Sequence, residues 1–163
     1  MAAPLDLTNP EERKAISPAA RQGFLKIADC WHLQEDDARR LLGLPTAEEY
    51  AALKAEEKPV LSQDALERIS YVLGMFKNLH IALNPPLADE WMQRKNRNPL
   101  FEERTPLAYI LEAPDQKEAC REVRGLLELH ALDQDTEPYV TALKRAHQVS
   151  ATRASGNSAI TRA

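Results

Sequence analysis

Glycine and cysteine are scarce in this sequence, and long apolar runs are missing. Its 163 residues include five scattered glycines, so there is no Gly-rich phosphate loop and no G-x-S-x-G motif. The two cysteines, Cys30 and Cys120, lack the paired spacing of a disulfide framework or a zinc site. No apolar stretch approaches the roughly 18 residues that a membrane span needs, and residues 1–14 lack the apolar core of a signal peptide. These absences predict a cytoplasmic protein without a metal or a cofactor.

What is present describes an ordinary globular chain. Hydrophobic residues make up 44% of the sequence, which is enough for a core, and charged residues make up 28%. The length suits one domain of usual size or two very small ones. The net charge is −4, so the overall electrostatics do not favour nucleic acid as a partner.

The apolar residues recur at helical spacing, and no alternating strand pattern occurs, which predicts an all-α fold. Residues 1–16 are expected to form a loose arm, and Ser17 and Pro18 to begin the first helix. The longest helix is predicted from Ser62 to about Leu83. Its inward stripe is expected to be Leu66, Ile69, Leu73, Phe76, His80 and Leu83, widened by Val72 and Leu79. Further helices are predicted over about 35–42 and 47–57, through Trp91, after Thr105 and after Asp115.

These helices divide into three predicted regions. Residues 1–60 form an N-terminal arm with helix-turn-helix-like helices, residues 61–131 form a helical domain, and residues 132–163 form a flexible tail. The last part of the tail is small and polar, and alone it cannot bury enough surface to offset the entropy of ordering.

Catalysis finds little support in the residues. The four histidines His32, His80, His130 and His147 lie on different elements, and those on apolar faces are expected to be satisfied structural residues. We therefore predict that the chain is not an enzyme and has no catalytic residues.

Residues 18–57 fit a helix-turn-helix with its turn at Gly43-Leu44-Pro45. The second helix, TAEEYAALK, would read DNA, but it begins with Glu48 and Glu49, which the phosphate backbone repels. Only weak DNA binding is predicted, through Thr46, Tyr50 and Lys54. The alternative is that these three helices are a scaffold or a dimer surface.

The segment from Leu61 to Leu129 carries a more specific pattern. It contains R-I-x-x-x-L-G, then Trp-Met, an Asn-rich turn, an aromatic residue and T-P-L. In this chain the pattern is carried by Arg68, Ile69, Leu73, Gly74, Leu79, Trp91, Met92, Asn96, Asn98, Phe101, Thr105, Pro106 and Leu107. Over about 70 residues the order resembles the toxin-binding domain shared by the Xre, MbcA and ParS antitoxins. Glu103 and Arg104 stand where that family often has glycine.

The resemblance implies a function. Members of that family pair with RES-domain toxins, which consume NAD or transfer ADP-ribose from it. They neutralise the toxin by covering its NAD cleft, often with a C-terminal element, and many repress their own operon. The expected partners are therefore a cognate RES-domain toxin, operator DNA and further copies of the chain. The residues expected to contact the toxin are Trp91, Arg94, Asn96, Asn98, Phe101, Arg104, Tyr139, Lys144, Arg145, Arg153 and Arg162.

Two alternatives remain open at this point. The tail, which has four basic residues and no acid after Val140, either enters the toxin's NAD site or is only a disordered end. The chain as a whole is either such an antitoxin or a stand-alone helix-turn-helix regulator.

Overall fold

A computed structural model describes residues 4–55 and 60–132. This part of the chain is helical and contains no strand, which confirms the all-α class. None of its helices is both long enough and apolar enough to cross a membrane. The α-helices are α1 (Pro10–Cys30), α2 (Glu35–Leu41), α3 (Ala47–Lys54), α4 (Gln63–Ala82), α5 (Pro85–Glu90), α6 (Pro106–Glu112) and α7 (Gln116–Leu132), and single 3₁₀ turns cover Trp91–Gln93 and Pro99–Phe101.

Side-chain caps fix most helix starts where the sequence predicts them. The Thr46 hydroxyl accepts a hydrogen bond from the Glu49 amide while the Glu49 carboxylate accepts one from the Thr46 amide, a capping box at the start of α3. Ser62 caps α4 by accepting from the Ala65 amide at 3.1 Å. Thr105 caps α6 by accepting from the Ala108 amide at 3.0 Å. These bonds satisfy amides that lack intrahelical partners.

The first helix begins earlier than predicted. Asn9 caps α1 by accepting from the Glu11 amide at 2.9 Å, and Pro10 occupies its first position. The prediction of a loose arm up to residue 16 and a helix start at Ser17 is therefore wrong. Asn9 and Pro10 supply a complete start signal of their own, followed by Glu11 and Glu12 in the first turn, where acids suit the helix dipole. Pro18 lies inside the helix, and α1, at 21 residues, is one residue longer than α4.

The inward stripe predicted for α4 is correct at most positions and wrong at one. Ile69, Val72 and Leu79 are buried, as expected, but Leu73 is 39% exposed. Leu73 lies at the edge of the contact with α1, where a Cβ at Gly23 would be 3.2 Å from its Cδ2 atom. Met75, which the stripe omitted, is fully buried instead.

His80, at the edge of this stripe, has structural partners. Its Nδ1 atom lies 2.8 Å from the Phe76 carbonyl oxygen, and its Nε2 atom lies 3.1 Å from an Asp89 carboxylate oxygen. The Phe76 ring packs on the imidazole with 4.0 Å between centroids. His80 thus joins α4 to α5.

A single hydrophobic core runs across the boundary expected at residue 60. It includes Phe24 and Trp31 of the N-terminal part as well as residues of α4, α6 and α7. The helices α4 and α7 lie side by side in the same direction, since Lys117 pairs with Glu67 and, one turn further along both helices, Arg121 contacts Tyr71. The N-terminal helices therefore hold α4 from one side while α7 holds it from another.

One buried hydrogen bond ties α1 to the segment before α4. The Ser17 hydroxyl, 3% exposed, accepts from the Leu61 amide at 2.9 Å and donates to the Arg13 carbonyl at 2.6 Å. Ser17→Ala leaves the Leu61 amide buried without an acceptor, so we expect the free energy of unfolding to fall by about 1–3 kcal/mol. Urea denaturation measures this. Ser70→Ala, on the exposed side of α4, is the control and should change stability by less than about 0.5 kcal/mol; equal effects of the two would contradict the role of Ser17.

Candidate functional site

The expected toxin-contact residues of the described body all lie in one loop, residues 91–105, hereafter the 91–105 loop. Its backbone is closed by a hydrogen bond from the Asn96 amide to the Arg104 carbonyl at 3.3 Å. The Asn96 side-chain oxygen accepts from the Asn98 amide at 2.9 Å, and the Asn98 side-chain oxygen accepts from the Leu100 amide at 3.0 Å. The two asparagines therefore hold the shape of the loop, as Asx turns do.

Three aromatic rings, two from the 91–105 loop and one from α6, pack in a row on the inner side of the loop. The Trp91 and Phe101 rings meet edge to face with 5.8 Å between centroids, and Phe101 meets Tyr109 of α6 in the same way at 5.6 Å. Trp91 is 5% exposed and Phe101 is fully buried. Both residues are therefore core residues that position the loop, and Phe101 has no surface with which to contact a partner.

Two of the arginines expected to contact the toxin, Arg94 and Arg104, lie in the described part of the chain, where they are half-buried and form ion pairs. Arg104 lies 3.0 Å from the Glu112 carboxylate and 3.4 Å from that of Glu102, and its guanidinium lies over the Tyr109 ring. Arg94 lies 3.6 Å from the Glu90 carboxylate. Pairs at this level of exposure stabilise the fold only slightly.

Tyr109 anchors the row of rings to α7. Its hydroxyl donates a hydrogen bond to the Glu122 carboxylate, and this bond, together with burial and the negative charge of Glu122, raises the pKa of Tyr109 to about 12. The phenol therefore keeps its proton at neutral pH, and the link between α6 and α7 is maintained.

Sequence reasoning missed two basic residues of the loop, Lys95 and Arg97. Exposure alternates along residues 93–99, so these two side chains are exposed while Arg94, Asn96 and Asn98 are half-buried. The signal that could have found Arg97 is the N-x-N spacing of Asn96 and Asn98. Two asparagines that turn inward to cap the backbone leave the residue between them pointing outward.

The loop also contains two consecutive non-glycine residues in the left-handed region. Glu102 has a φ of 49° and Glu103 a φ of 67°. Glu103 is one of the two residues at which the antitoxin family that this segment resembles often has glycine. A positive φ at this position is a physical reason for glycine, which adopts it without strain. Strain of this kind is concentrated at functional loops.

Replacing Glu103 with glycine should stabilise the protein. The left-handed conformation costs a residue with a Cβ roughly 1–2 kcal/mol, and glycine's greater loss of entropy costs about 0.5–1 kcal/mol. We therefore expect Glu103→Gly to raise the free energy of unfolding by about 0.5–1 kcal/mol in thermal or urea denaturation. Glu48→Gly, in the ordinary helical backbone of α3, is the matched control and should lower it. A loss of stability in both variants would show that Glu103 carries no strain.

The predicted helix-turn-helix region has its turn where expected, with Gly43 at a φ of 70°. A Cβ at Gly43 would lie 2.8 Å from the Arg68 guanidinium, so α4 packs directly on this turn. Of the three residues expected to contact DNA, Thr46 is used in the capping box, Tyr50 is 6% exposed and Lys54 pairs with Glu35. The freely exposed charges at the start of α3 are acidic.

Two residues of the resemblance motif on α4 serve packing. Arg68 donates from Nε to Asp64 at 2.9 Å and from Nη1 to Gln116 at 2.8 Å, which joins α4 to the start of α7. A Cβ at Gly74 would lie 2.7 Å from Arg124 Nε, so glycine lets the Arg124 side chain of α7 cross α4 closely. These residues place α6 and α7, and through them the 91–105 loop.

The other expected toxin contacts lie outside the described residues; they are Tyr139, Lys144, Arg145, Arg153 and Arg162. Within residues 4–55 and 60–132, no three His, Cys, Asp or Glu side chains come together in a way that could hold a metal ion.

Comparison with known proteins gives one relative. Over 97 residues the chain is 34% identical to the "Uncharacterized protein y4oB" of Sinorhizobium fredii (strain NBRC 101917 / NGR234). The match covers 59% of this chain and 74% of that protein. No protein-family model and no solved structure matches the chain.

Proposed function

The chain belongs to the same family as the y4oB protein of Sinorhizobium fredii, and from that starting point we propose that it is the antitoxin of a type II toxin-antitoxin system. Its partner is a RES-domain toxin, and it inhibits that toxin by covering the NAD site rather than by catalysis. The body docks on the toxin through the 91–105 loop, and the tail occludes the site.

The observation that carries this proposal is that the 91–105 loop has a closed, well-supported structure. Residues 91, 94, 96, 98, 101 and 104, which the resemblance singles out, belong to one closed loop on an aromatic base. Its shape is fixed before any partner arrives, so binding loses little conformational entropy. Four of its exposed side chains, those of Lys95, Arg97, Glu102 and Glu103, are charged and its supporting rings are buried, which is the arrangement of a preformed polar contact surface.

The test is co-expression of the chain with the gene beside its own, followed by purification of the complex and measurement of NAD consumption. We expect a stable complex with a RES-domain protein, whose NAD turnover falls by at least about tenfold when the chain is present in excess. A neighbouring RES-domain protein that neither binds the chain nor loses NAD turnover in its presence would contradict the proposal.

The second candidate is a stand-alone transcriptional regulator, favoured by the α2–turn–α3 arrangement around Gly43. Operon repression by the antitoxin would use the same helices. Both functions require the start of α3 to lie close to the phosphates of DNA, and the negative charge of the exposed Glu48 disfavours this position.

Charge reversal at Glu48 tests how much this acid limits DNA binding. We expect Glu48→Lys to raise non-specific affinity for duplex DNA by roughly 3- to 10-fold, because two units of charge change at a helix start that faces phosphate. Fluorescence anisotropy at several salt concentrations measures it. Lys14→Glu in the exposed part of α1 is the converse control and should have little effect. Tight binding of the unaltered chain to its own promoter at physiological salt would favour the regulator.

A further inference from the structure

Arg97 differs from the other arginines in the described part of the chain. Each of the others donates a hydrogen bond or forms an ion pair within the molecule: Arg13, Arg21, Arg39, Arg40, Arg68, Arg94, Arg104, Arg121 and Arg124. Arg97 is exposed and has no such contact with the described residues, and the same holds for Lys95. Guanidinium groups pair readily with carboxylates, so one that has no partner among the described residues, although several acids are near it in sequence, is a feature to explain.

The backbone around Arg97 is held on both sides. Asn96 accepts from the Asn98 amide, and Asn98 accepts from the Leu100 amide, so each flanking side chain anchors the chain within two residues of Arg97. The Asn96 amide is held in turn by the Arg104 carbonyl. The arginine therefore projects from a backbone that is held on both sides, and the nearby acids Glu102 and Glu112 pair with Arg104.

Lys95 and Arg97 project from the same side of the loop. Arg94, at φ −109° and ψ 142°, and Asn98, at φ −61° and ψ 131°, have extended backbones, and exposure alternates from residue to residue between them. In an extended segment alternate residues point the same way and their Cα atoms lie about 6–7 Å apart. Two cations at this spacing can each bind a carboxylate on a facing surface, whether the two carboxylates are far apart in the partner's sequence or close together.

From this geometry we propose that Lys95 and Arg97 are the recognition contact of the 91–105 loop and bind carboxylates on the surface of the toxin. The proposal rests on the proposed function and names the chemistry of its docking surface. A protein partner fits better than a nucleic acid because Glu90, Glu102 and Glu103 lie on or beside the loop. A continuous row of phosphates would meet these acids, whereas discrete carboxylates can be placed to avoid them.

The test compares two charge-reversal pairs in the complex of full-length chain and toxin. Lys95→Glu/Arg97→Glu should weaken binding by about 10- to 100-fold, because two preformed contacts become repulsive. Lys14→Glu/Lys26→Glu changes net charge equally at exposed lysines of α1 and should weaken it by less than about threefold. Kd and its salt dependence are measured by surface plasmon resonance, and circular dichroism verifies that each variant is folded.

A carbodiimide cross-link identifies the chemistry directly, since it joins a lysine amine only to a carboxylate in contact with it. We expect mass spectrometry of the cross-linked complex to find Lys95 joined to an Asp or Glu of the toxin. Unaltered Kd in the Lys95/Arg97 variant overturns this inference and leaves the antitoxin proposal standing. Equal weakening in both variants overturns it too, because net charge would then be the cause. Failure of the unaltered chain to bind any RES-domain toxin removes both proposals.

Discussion

A chain that ends at Asp135 should still bind the toxin but should leave most of its NAD turnover intact. The structure favours this cut because α7 ends at Leu132, so the helix and the core beneath it are kept. After Val140 the removed segment has four basic residues and no acid, and a pocket that handles NAD through catalytic acids attracts cations. Since immobilising a segment and its side chains at an interface costs free energy, we expect affinity to fall less than about tenfold while residual NAD turnover rises at least about tenfold.

The measurement is toxin NAD consumption at equal saturation with full-length and shortened chain. A full-length variant with Lys144, Arg145, Arg153 and Arg162 all changed to Gln separates charge from bulk, and it should inhibit to an intermediate degree. Complete inhibition by the shortened chain would show that the body alone closes the NAD site and that the tail contributes nothing to inhibition.

The all-α class and the starts of several helices could be predicted because they depend on residues that are close together in the sequence. Thr46, Ser62 and Thr105 each cap the helix expected of them, since a hydroxyl that accepts from an amide three residues later needs nothing else from the fold. The same local logic misplaced the start of α1. Ser17 and Pro18 predict a helix start, although Asn9 and Pro10 form the same signal earlier in the sequence and begin the helix that contains Pro18.

The site was less predictable because burial depends on neighbours distant in sequence. Helical period places Leu73 in the same stripe as Ile69, but only the position of α1 decides that Leu73 stays partly exposed. In the same way, the amino-acid composition of the loop does not show which of its arginines forms an ion pair. Arg104 meets Glu112, which is eight residues away on α6, while Arg97 meets none in the described residues. The resemblance therefore pointed to residues of one loop, but it included the buried rings of Trp91 and Phe101 and omitted the exposed cations Lys95 and Arg97.

Loss of the Phe101 ring should be the most damaging single change in the 91–105 loop. The ring is fully buried between Trp91 and Tyr109, so Phe101→Ala removes two edge-to-face contacts and leaves a cavity. We expect the free energy of unfolding to fall by about 3–5 kcal/mol, which is a large part of the 5–15 kcal/mol typical of a domain. Urea denaturation followed by circular dichroism measures the loss.

The more informative variant is Phe101→Leu, which fills most of the same space and should cost roughly 1–2 kcal/mol. Because Phe101 has no exposed surface, its ring acts on a partner only by holding Lys95 and Arg97 in place. At a temperature where this variant is folded, we therefore expect its Kd for the toxin to change less than about threefold, well below the change for Lys95→Glu/Arg97→Glu. A folded Phe101→Leu variant that binds tenfold or more weakly would mean that the ring leaves the core and enters the interface in the complex, as an aromatic hot spot does.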